Sequence, residues 1–350
     1  MSGPTPLEQR LRRLIELSGP VSIAAFMAEA NSHYYATRDP FGIGGDFITA
    51  PEISQMFGEL IGLWCVDLWL RAGSPADVHY VELGPGRGTL AKDALRAMAQ
   101  AGLAPPVHFV ETSPILREAQ ARAVPGASFH AESSILPASG PLLIIANEFF
   151  DALPVRQLVA TPQGWRERMV GDDGTRLVPV AGTVPMDAAV PAALGGAPVG
   201  TIIETSPAGS AIMHDLAARI ALQGGAMLVI DYGYQGPAAG DTLQALKGHR
   251  MTDPFADMGE QDLTAHVDFA ALAGAAERAG LQVSGPVGQG AFLRALGLDV
   301  RAVALARAAP DAAETLQSQT ARLADDDQMG QLFKVLAARA PGWPEPEGLK

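Results

Sequence analysis

The stretch Val78-His79-Tyr80-Val81-Glu82-Leu83-Gly84-Pro85-Gly86-Arg87-Gly88-Thr89 decides how this chain folds. Its first half alternates in polarity and predicts a short β-strand that ends near an acid, Glu82. Its second half carries glycine at every second position, and the residues after it place apolar side chains at helical spacing. Because glycine tolerates positive φ and has no Cβ, a ligand can approach the backbone where the helix begins. The stretch therefore predicts a strand, a ligand-binding turn and a helix.

The spacing of the glycines separates two kinds of ligand. A dinucleotide-binding turn has the pattern G-x-G-x-x-G, whereas Gly84, Gly86 and Gly88 follow Glu82 as G-x-G-x-G. This pattern resembles the first motif of class I S-adenosylmethionine (AdoMet) methyltransferases. A carboxylate at the strand end would favour the cationic sulfonium and amino group of AdoMet. A nucleotide site and a purely structural turn are the alternatives.

Composition limits the classes of protein to consider. The chain has 350 residues, of which 48% are hydrophobic and 18% charged, so it can form one large domain or two small ones. Its net charge of -13 argues against nonspecific binding to nucleic acid or to anionic membranes. A single cysteine, Cys65, excludes an internal disulfide and a cysteine-cluster metal site, and we expect no metal. No apolar run is long enough to span a membrane, and we expect no signal peptide.

Further candidate cofactor residues follow the next two strands. The segment 107–111 predicts a second strand that ends on Glu111. An acid one β-α unit after the glycine turn can accept both ribose hydroxyls, although a solvated strand end is the plain alternative. A third strand over 127–133 would bring its exit near an adenine edge. The candidate cofactor residues are Glu82 near the methionine amino group, Gly84, Gly86, Glu111, Thr112, Ser113, Glu132, Ser133 and Asn147.

Polar residues also follow two apolar strands further along the chain. Residues 141–146 are apolar throughout, as in a central parallel strand, and lead into Asn147-Glu148-Phe149-Phe150-Asp151. Residues 225–230 predict another strand, which exits at Asp231. Since ligands of open α/β sheets bind outside the carboxyl ends of the strands, we expect these residues at the mouth of the site.

Segments outside the sheet are candidate lids. Residues 5–17 and 21–30 predict amphipathic helices, and a polar–aromatic loop then runs from 31 to 52, as a pocket wall or as an ordered connector. Residues 235–266 lack a clear period and suggest a second lid that ends at His266, which could be a base, a substrate contact or a structural histidine. We also expect a β-insert over 155–182, a flexible surface segment over 182–200, alanine-rich helices over 291–325 and a frayed tail over 341–350.

Four separate motifs resemble one family. They are Tyr34–Gln55, Asn147–Pro154, Ile230–Tyr234 and Asp262–Phe269, and they look like the MidA-like family. This family comprises the mitochondrial complex I assembly-type protein arginine methyltransferases and their bacterial relatives, and the resemblance spans about residues 20–290. It implies an α/β fold, with a class I methyltransferase Rossmann-like doubly wound sheet, a helical N-terminal cap and inserted lid segments. We expect the cap over 1–75, the core over 76–340 with insertions at about 155–200, 235–266 and 290–325, and a flexible tail over 341–350.

The resemblance also implies an activity. Its members transfer a methyl group from AdoMet to an arginine side chain, and the best-known member modifies a peripheral-arm subunit of respiratory complex I during assembly. We therefore expect AdoMet as cofactor and a protein substrate, with no nucleic acid and no stable membrane insertion. We see no mitochondrial presequence, which suggests a bacterial cytoplasmic protein, or the mitochondrial matrix for a eukaryotic one. A bacterial substrate need not be the mitochondrial one.

Methyl transfer to arginine makes physical demands on the site. The guanidinium is protonated at neutral pH, so carboxylates must orient it and accept its proton. Glu148 is the first candidate. The other candidate catalytic residues are Asn147, Asp151, Asp231 and His266, and the candidates on the substrate side are Tyr34, Tyr35, Asp46, Glu52 and Glu204.

Three other functions compete with this hypothesis. An AdoMet enzyme could act on a small molecule or a nucleic acid, although the acidic charge disfavours the latter. A noncatalytic assembly chaperone could retain the fold, but it would not require the glycines and the strand-end acids. NAD-dependent oxidoreduction disagrees with the glycine spacing.

Overall fold

The computed structural model describes residues 5–40 and 48–350, which form two compact units. The first unit combines the described residues before 48 with Phe150–Ala211 and Tyr234–Ala270. The second combines Ile48–Phe149, Ile212–Gly233 and Ala271–Lys350. The expected division into a cap over 1–75 and a core over 76–340 stays a prediction.

The α-helices of the described residues are α1 (Pro6–Ser18), α2 (Ile23–Thr37), α3 (Ala50–Ile53), α4 (Gln55–Arg71), α5 (Thr89–Gln100), α6 (Pro114–Ala123), α7 (Pro207–Gln223), α8 (Phe269–Arg278), α9 (Gln289–Ala295), α10 (Leu298–Ala308), α11 (Ala313–Ala324) and α12 (Met329–Leu332). Within residues 5–40 and 48–350, none of them combines the length and the apolar character that a membrane span needs.

The strands are β1 (Val21–Ser22), β2 (His79–Leu83), β3 (Val107–Val110), β4 (Ser128–His130), β5 (Leu142–Asn147), β6 (Arg156–Thr161), β7 (Gly164–Asp172), β8 (Leu177–Pro185), β9 (Ile202–Thr205), β10 (Gly225–Tyr234), β11 (Gln244–Lys247), β12 (Arg250–Thr252), β13 (Asp262–Thr264), β14 (Val267–Asp268), β15 (Gln282–Gly288) and β16 (Phe333–Arg339).

The second unit is built on seven strands of an eight-stranded sheet, in the order β15-β16-β10-β5-β2-β3-β4. The five strands from β10 to β4 run parallel, and β16 lies antiparallel between β10 and β15. The chain moves outward from β2 through β3 to β4 and then returns to the other side of β2 as β5. The carboxyl ends of β2 and β5 therefore flank a point of order reversal, where open α/β sheets bind ligands. The predicted α/β, doubly wound fold class is confirmed.

The core of the second unit lies between this sheet and the helices. Trp64 and Phe57 of α4 pack with the inward side chains of the sheet, among them Tyr80, Ile145 and Leu228. The inserted helices α9–α12 belong to the same unit, and Arg301 of α10 forms an ion pair with Glu59 of α4 at 2.8 Å. Burial of these apolar side chains is the main stabilising contribution.

The first unit contains two antiparallel sheets. One sheet has five strands: its order is β1-β7-β6-β9, and β8 also pairs with β7. The other sheet has three strands, in the order β12-β11-β13. Helix α1 begins at a side-chain cap, because Thr5 Oγ1 accepts the N–H of Glu8 at 3.1 Å. The predicted β-insert over 155–182 is present as β6, β7 and β8.

Part of one expected loop is helical. Residues 31–35 are predicted as part of a polar–aromatic loop, but α2 continues to Thr37, so this prediction is wrong. Ala30 and Tyr34 are buried one helical turn apart, and the Asn31 amide donates to the carbonyls of Ala152 and Leu263 at 3.0 and 2.7 Å. These tertiary contacts satisfy polar groups that suggested a loop in the sequence. Glu52 likewise lies on the short helix α3.

Three other segments differ from their expected form. The expected flexible segment over 182–200 contains two 3₁₀ turns, and its apolar side chains pack against the cluster around Trp165. The expected second lid over 235–266 contains the small sheet of β11, β12 and β13. In the expected frayed tail, Leu349 is 5% exposed and belongs to the core of the second unit. These packing contacts join residues that are distant in the sequence, so the local composition of the segments did not indicate them.

The close approach of α4 and α5 gives the first testable prediction. A Cβ at Gly62 would lie 2.4 Å from the backbone oxygen of Ala94. We expect Gly62→Ala to destabilise the protein by about 2 kcal/mol, because overpacking outweighs the gain in helix propensity. Urea unfolding measures this change.

Gly196→Ala is the matched control, because a Cβ there meets nothing within 4 Å. It should leave the free energy of unfolding within about 0.5 kcal/mol of the wild type. Equal stability of the two variants would contradict this packing interpretation.

Candidate functional site

The turn after β2 is held open by glycine. The backbone has positive φ at three positions, with +57° at Gly84, +54° at Gly86 and +78° at Gly88. Residues other than glycine rarely adopt such angles. The N–H of Gly84 donates to the carbonyl of Val110 at 3.0 Å, which ties the turn to β3. A Cβ at Gly84 would lie 3.1 Å from the ring of Phe149. The turn thus has a backbone conformation that favours glycine, and it leads directly into α5.

Glu82 is buried one position before the end of β2. It is 3% exposed, and its carboxylate accepts a hydrogen bond from the Tyr80 hydroxyl at 2.7 Å. Burial raises the pKa of Glu82 to about 8, against a smaller lowering by this hydrogen bond. A buried acid without a cation destabilises the fold, so the position favours a bound cationic group.

Glu111 follows β3 and is fixed by several donors. Its Oε1 accepts the backbone N–H groups of Thr112 and Ser113, both at 2.8 Å, and its carbonyl oxygen accepts Arg117 Nε at 2.8 Å. Burial raises the pKa of Glu111, while hydrogen bonds from Ser113, Gln120 and Thr112 oppose this rise. The carboxylate is therefore oriented before any ligand binds.

The remaining cofactor candidates near β3 and β4 have different settings. Ser113 caps α6, since its Oγ accepts the N–H of Leu116 at 3.3 Å. Thr112 and Glu132 are exposed, and Ser133 begins a 3₁₀ turn after β4. These positions lie at the carboxyl ends of neighbouring parallel strands.

Asn147 and Glu148 form the exit of β5. Asn147 Nδ2 donates to Glu148 Oε1 at 3.2 Å, and the backbone N–H of Ala50 donates to the same oxygen at 3.4 Å. Asn147 Oδ1 is buried and accepts no hydrogen bond within the described part of the chain. Glu148 has φ of +50°, and its N–H donates to the carbonyl of Ile230 at 2.9 Å. A glutamate in this conformation is strained by about 1–3 kcal/mol, which is typical of functional sites.

Glu52 also belongs to this part of the second unit. Thr89 Oγ1, at the first position of α5, donates to Glu52 Oε1 at 2.6 Å. Both residues line an open cleft of about 440 Å³ that α10 and α11 border on its other side. The acids lining the cleft are Glu52 and Asp93, and none of the described side chains that line it is basic. Asp93 also forms an ion pair with Arg96 at 2.6 Å.

Asp231 lies in β10, next to β5. It is fully buried, and its Oδ1 accepts the N–H of Tyr232 at 3.0 Å. The second unit thus contains Glu52, Asn147, Glu148, Asp231 and the proposed cofactor residues.

Other candidate residues belong to the first unit. Tyr34 is fully buried, and Tyr35 donates its hydroxyl to Asp262 Oδ1 at 2.8 Å. Burial, followed by the charges of Asp262 and Asp151, raises the pKa of Tyr35 well above its ordinary range. The carbonyl of Asp151 accepts the N–H of Ala265 at 3.0 Å. These contacts connect three segments of the first unit.

Glu204 and His266 lie in one hydrogen-bond network of the first unit. Gln157 Nε2 donates to Glu204 Oε1 at 2.6 Å, and the backbone N–H of Thr242 donates to the same oxygen at 3.1 Å. Thr242 Oγ1 also accepts the N–H of His266 at 2.9 Å. Burial raises the pKa of Glu204 and lowers that of His266. Asp46, the remaining candidate, lies outside the described residues.

The residues at the order reversal fit AdoMet. The glycine turn leaves no Cβ over the backbone, and Glu111 presents an oriented carboxylate of the kind that binds ribose hydroxyls. Glu82 supplies a buried acid that a cationic group would stabilise. AdoMet, when bound, supplies an electrophilic methyl group on its sulfonium. By its strand order and this turn, the second unit is a class I methyltransferase fold.

Comparison with known proteins agrees with this class. Residues 60–287 match the family model described as "Putative S-adenosyl-L-methionine-dependent methyltransferase". A crystal structure of a protein from Burkholderia thailandensis bound to S-adenosyl-homocysteine is similar, with a TM-score of 0.85 and 25% sequence identity. The match covers 100% of this chain and 97% of that one. The chain is thus an AdoMet-dependent methyltransferase by fold and family.

Curated relatives identify the family more closely. The chain is 37% identical over 382 residues to the Drosophila melanogaster "Protein arginine methyltransferase NDUFAF7 homolog, mitochondrial", covering 96% of this chain and 85% of the relative. It is 35% identical over 372 residues to the Homo sapiens protein NDUFAF7, covering 95% and 83%. The chain therefore belongs to the MidA-like family, which confirms the resemblance drawn from its four motifs.

Two contributors to the site were absent from the sequence candidates. Tyr80, two residues before Glu82, lies on the same face of β2 and donates to it. Gln120, on the buried face of α6 four residues after Leu116, contacts both Gly86 and Glu111. The period of two in β2 could have indicated Tyr80, whereas Gln120 resembles any polar residue of an amphipathic helix.

The buried Glu82 predicts an unusual pH dependence of stability. Its ordinary pKa is near 4.5 and its folded-state pKa about 8, so between these values the folded protein holds a proton that the unfolded chain has lost. This contribution to stability is full below pH 4.5 and is lost as the pH rises through 8. We expect Glu82→Gln, which is always neutral, to gain stability relative to the wild type from pH 5 to pH 8.5. Each unit of pKa shift corresponds to about 1.4 kcal/mol.

Thermal unfolding without AdoMet, at a series of pH values, measures this difference. Glu118→Gln on the exposed side of α6 is the control and should show no trend relative to the wild type. A pH-independent offset for Glu82→Gln would contradict the burial argument.

Proposed function

We propose that this chain transfers the methyl group of AdoMet to an arginine side chain of a protein partner, and that Glu148 orients the guanidinium and takes its proton. The conformation of Glu148 carries this proposal. A glutamate at φ of +50° has a strained backbone, which lowers the stability of the fold. Its Oε1 accepts hydrogen bonds from the Asn147 side chain and from the Ala50 backbone N–H. This backbone strain is explained if the reaction requires the Glu148 carboxylate directly after the end of β5.

Arginine is the acceptor that the charges support. A guanidinium is planar and cationic, and it is bound best by carboxylates. Glu148 and Glu52 are carboxylates of the second unit, and Glu52 lines a cleft with no basic side chain among its described lining residues. The relatives that are 35–37% identical are named protein arginine methyltransferases. This charge pattern would disfavour an anionic acceptor such as a nucleic acid.

Proton removal is the chemical task left to the protein. Arginine is protonated at neutral pH, so its nitrogen becomes nucleophilic only as a proton leaves. A carboxylate in contact with the guanidinium can accept that proton as positive charge disappears from the sulfonium. Asn147, which donates to Glu148, orients this carboxylate. Asp231, Asp151 and His266 remain further catalytic candidates.

The substrate side and the partner complete the proposal. The candidate substrate-side residues remain Tyr34, Tyr35, Asp46, Glu52 and Glu204. Following the family resemblance, we propose a subunit of the complex I peripheral arm as the partner. The reaction would then take place in the bacterial cytoplasm, or in the mitochondrial matrix of a eukaryote. The relatives' names include the word mitochondrial, which supports the second location for those proteins.

Replacement of Glu148 by glutamine tests the catalytic assignment. We expect Glu148→Gln to lower the rate of methyl transfer about 10²–10⁴-fold, because the amide keeps the shape but accepts no proton. AdoMet affinity, measured by calorimetry, should stay within about twofold of the wild type. Labelled AdoMet and cell lysate as acceptor give the rate, and mass spectrometry locates the methyl group.

The exposed Glu118→Gln variant is the control and should transfer methyl groups at the wild-type rate. Full activity of Glu148→Gln would remove Glu148 from the mechanism. Methyl groups found only on other residues or on small molecules would contradict the arginine acceptor.

A further inference from the structure

Gln120 of α6 connects two parts of the cofactor site. Its side chain is fully buried, and its Nε2 donates to the carbonyl oxygen of Gly86 at 2.7 Å and to Glu111 Oε2 at 3.1 Å. The Gly86 carbonyl oxygen and the ionised Glu111 carboxylate accept hydrogen bonds but cannot donate them. The nitrogen of the Gln120 amide must therefore face both groups. One NH₂ group thus joins the glycine turn after β2 to the acid after β3.

The other end of the amide indicates why glutamine stands here. Gln120 Oε1 is buried and accepts no hydrogen bond within residues 5–40 and 48–350. An unsatisfied buried acceptor is costly, and an apolar side chain of similar length would avoid the cost. The two hydrogen bonds that Gln120 donates therefore explain why a glutamine is favourable at this position.

The geometry around Gln120 fixes the orientation of Glu111. The backbone N–H groups of Thr112 and Ser113 occupy Oε1, and Gln120 occupies Oε2, so donors hold both carboxylate oxygens. The turn is equally constrained, because a Cβ at Gly88 would lie 3.5 Å from the Gln120 Cα. Helix α6 thus lies against the turn, and its glutamine sets the spacing between the turn and the carboxylate.

We propose that Gln120 is a positioning residue for AdoMet. Through its two donors it holds Glu111 in the orientation that receives the ribose hydroxyls, and it holds Gly86 in the turn beside the rest of the ligand. This inference rests on the cofactor site assigned above. It does not depend on the acceptor, because AdoMet binding can be measured alone.

Two variants of similar size separate positioning from packing. Gln120→Glu places a carboxylate against the Gly86 carbonyl and Glu111, with Arg117 as the neighbouring cation. We expect its AdoMet Kd, relative to the wild type at the same pH, to rise at least about tenfold at pH 8.5 and to approach the wild-type value toward pH 6, where the new carboxyl regains a proton and donates. Gln120→Met removes both donors without adding charge, and its Kd should rise about three- to tenfold at every pH.

Calorimetric titration with AdoMet from pH 6 to 8.5 measures these ratios. Division by the wild-type value cancels the titration of groups that position 120 does not influence, whereas Glu111, which Gln120 contacts, titrates together with the new carboxyl. Glu118→Gln, on the exposed side of the same helix, is the control and should bind as the wild type does. Thermal unfolding of each variant shows whether it is folded at the pH used.

A purely structural role would lower the melting temperature without a pH-dependent ratio of Kd values. A pH-independent ratio for folded Gln120→Glu therefore overturns the proposal, as does wild-type affinity of Gln120→Met. If Gln120→Glu unfolds at pH 8.5, Gln120→Met alone decides the question. Failure to find methylated arginine would contradict the proposed function and leave these titrations unaffected.

Discussion

The reversal of strand order between β2 and β5 is the constraint on which the site depends. The connections after these two parallel strands lead away from each other, which leaves a crevice at their carboxyl ends. A ligand can enter the crevice only if the backbone turns sharply after β2, and the glycines at positive φ allow this turn. Phe149, which follows Glu148 after β5, leaves little room for a side chain at Gly84. The same reversal therefore brings the cofactor turn and the candidate catalytic glutamate to one edge of the sheet.

Buried acids are the energetic consequence of this arrangement. Glu82 and Glu111 both lie where burial raises their pKa, and Glu148 adopts a strained backbone conformation. Each feature destabilises the free protein, and the large apolar core of the second unit offsets the cost. A ligand with positive charge and hydroxyl groups would relieve the unfavourable burial. The protein thus gives up stability at the positions that we propose for binding and reaction.

The sequence predicted the local features of this site and missed those that depend on tertiary contacts. Glycine spacing, strand-end acids and apolar runs indicated the conformation of the turn, the place of Glu111 directly after β3, and the strand β5, because each is a property of neighbouring residues. The helical state of Tyr34 and Tyr35 depends on contacts of Asn31 with residues more than a hundred positions away. Gln120 was missed for the same reason, since both of its acceptors belong to other segments. The assembly of each compact unit from three separate stretches also requires long-range contacts.

A crystal structure of this protein with S-adenosyl-homocysteine tests the central claim most directly. The account predicts that the ribose hydroxyls bind the Glu111 carboxylate while Gln120 still contacts Glu111 and Gly86. It also predicts that the amino-acid half of the ligand lies along the glycine turn, near Glu82. A ligand bound elsewhere, or a ribose held without Glu111, would contradict the account.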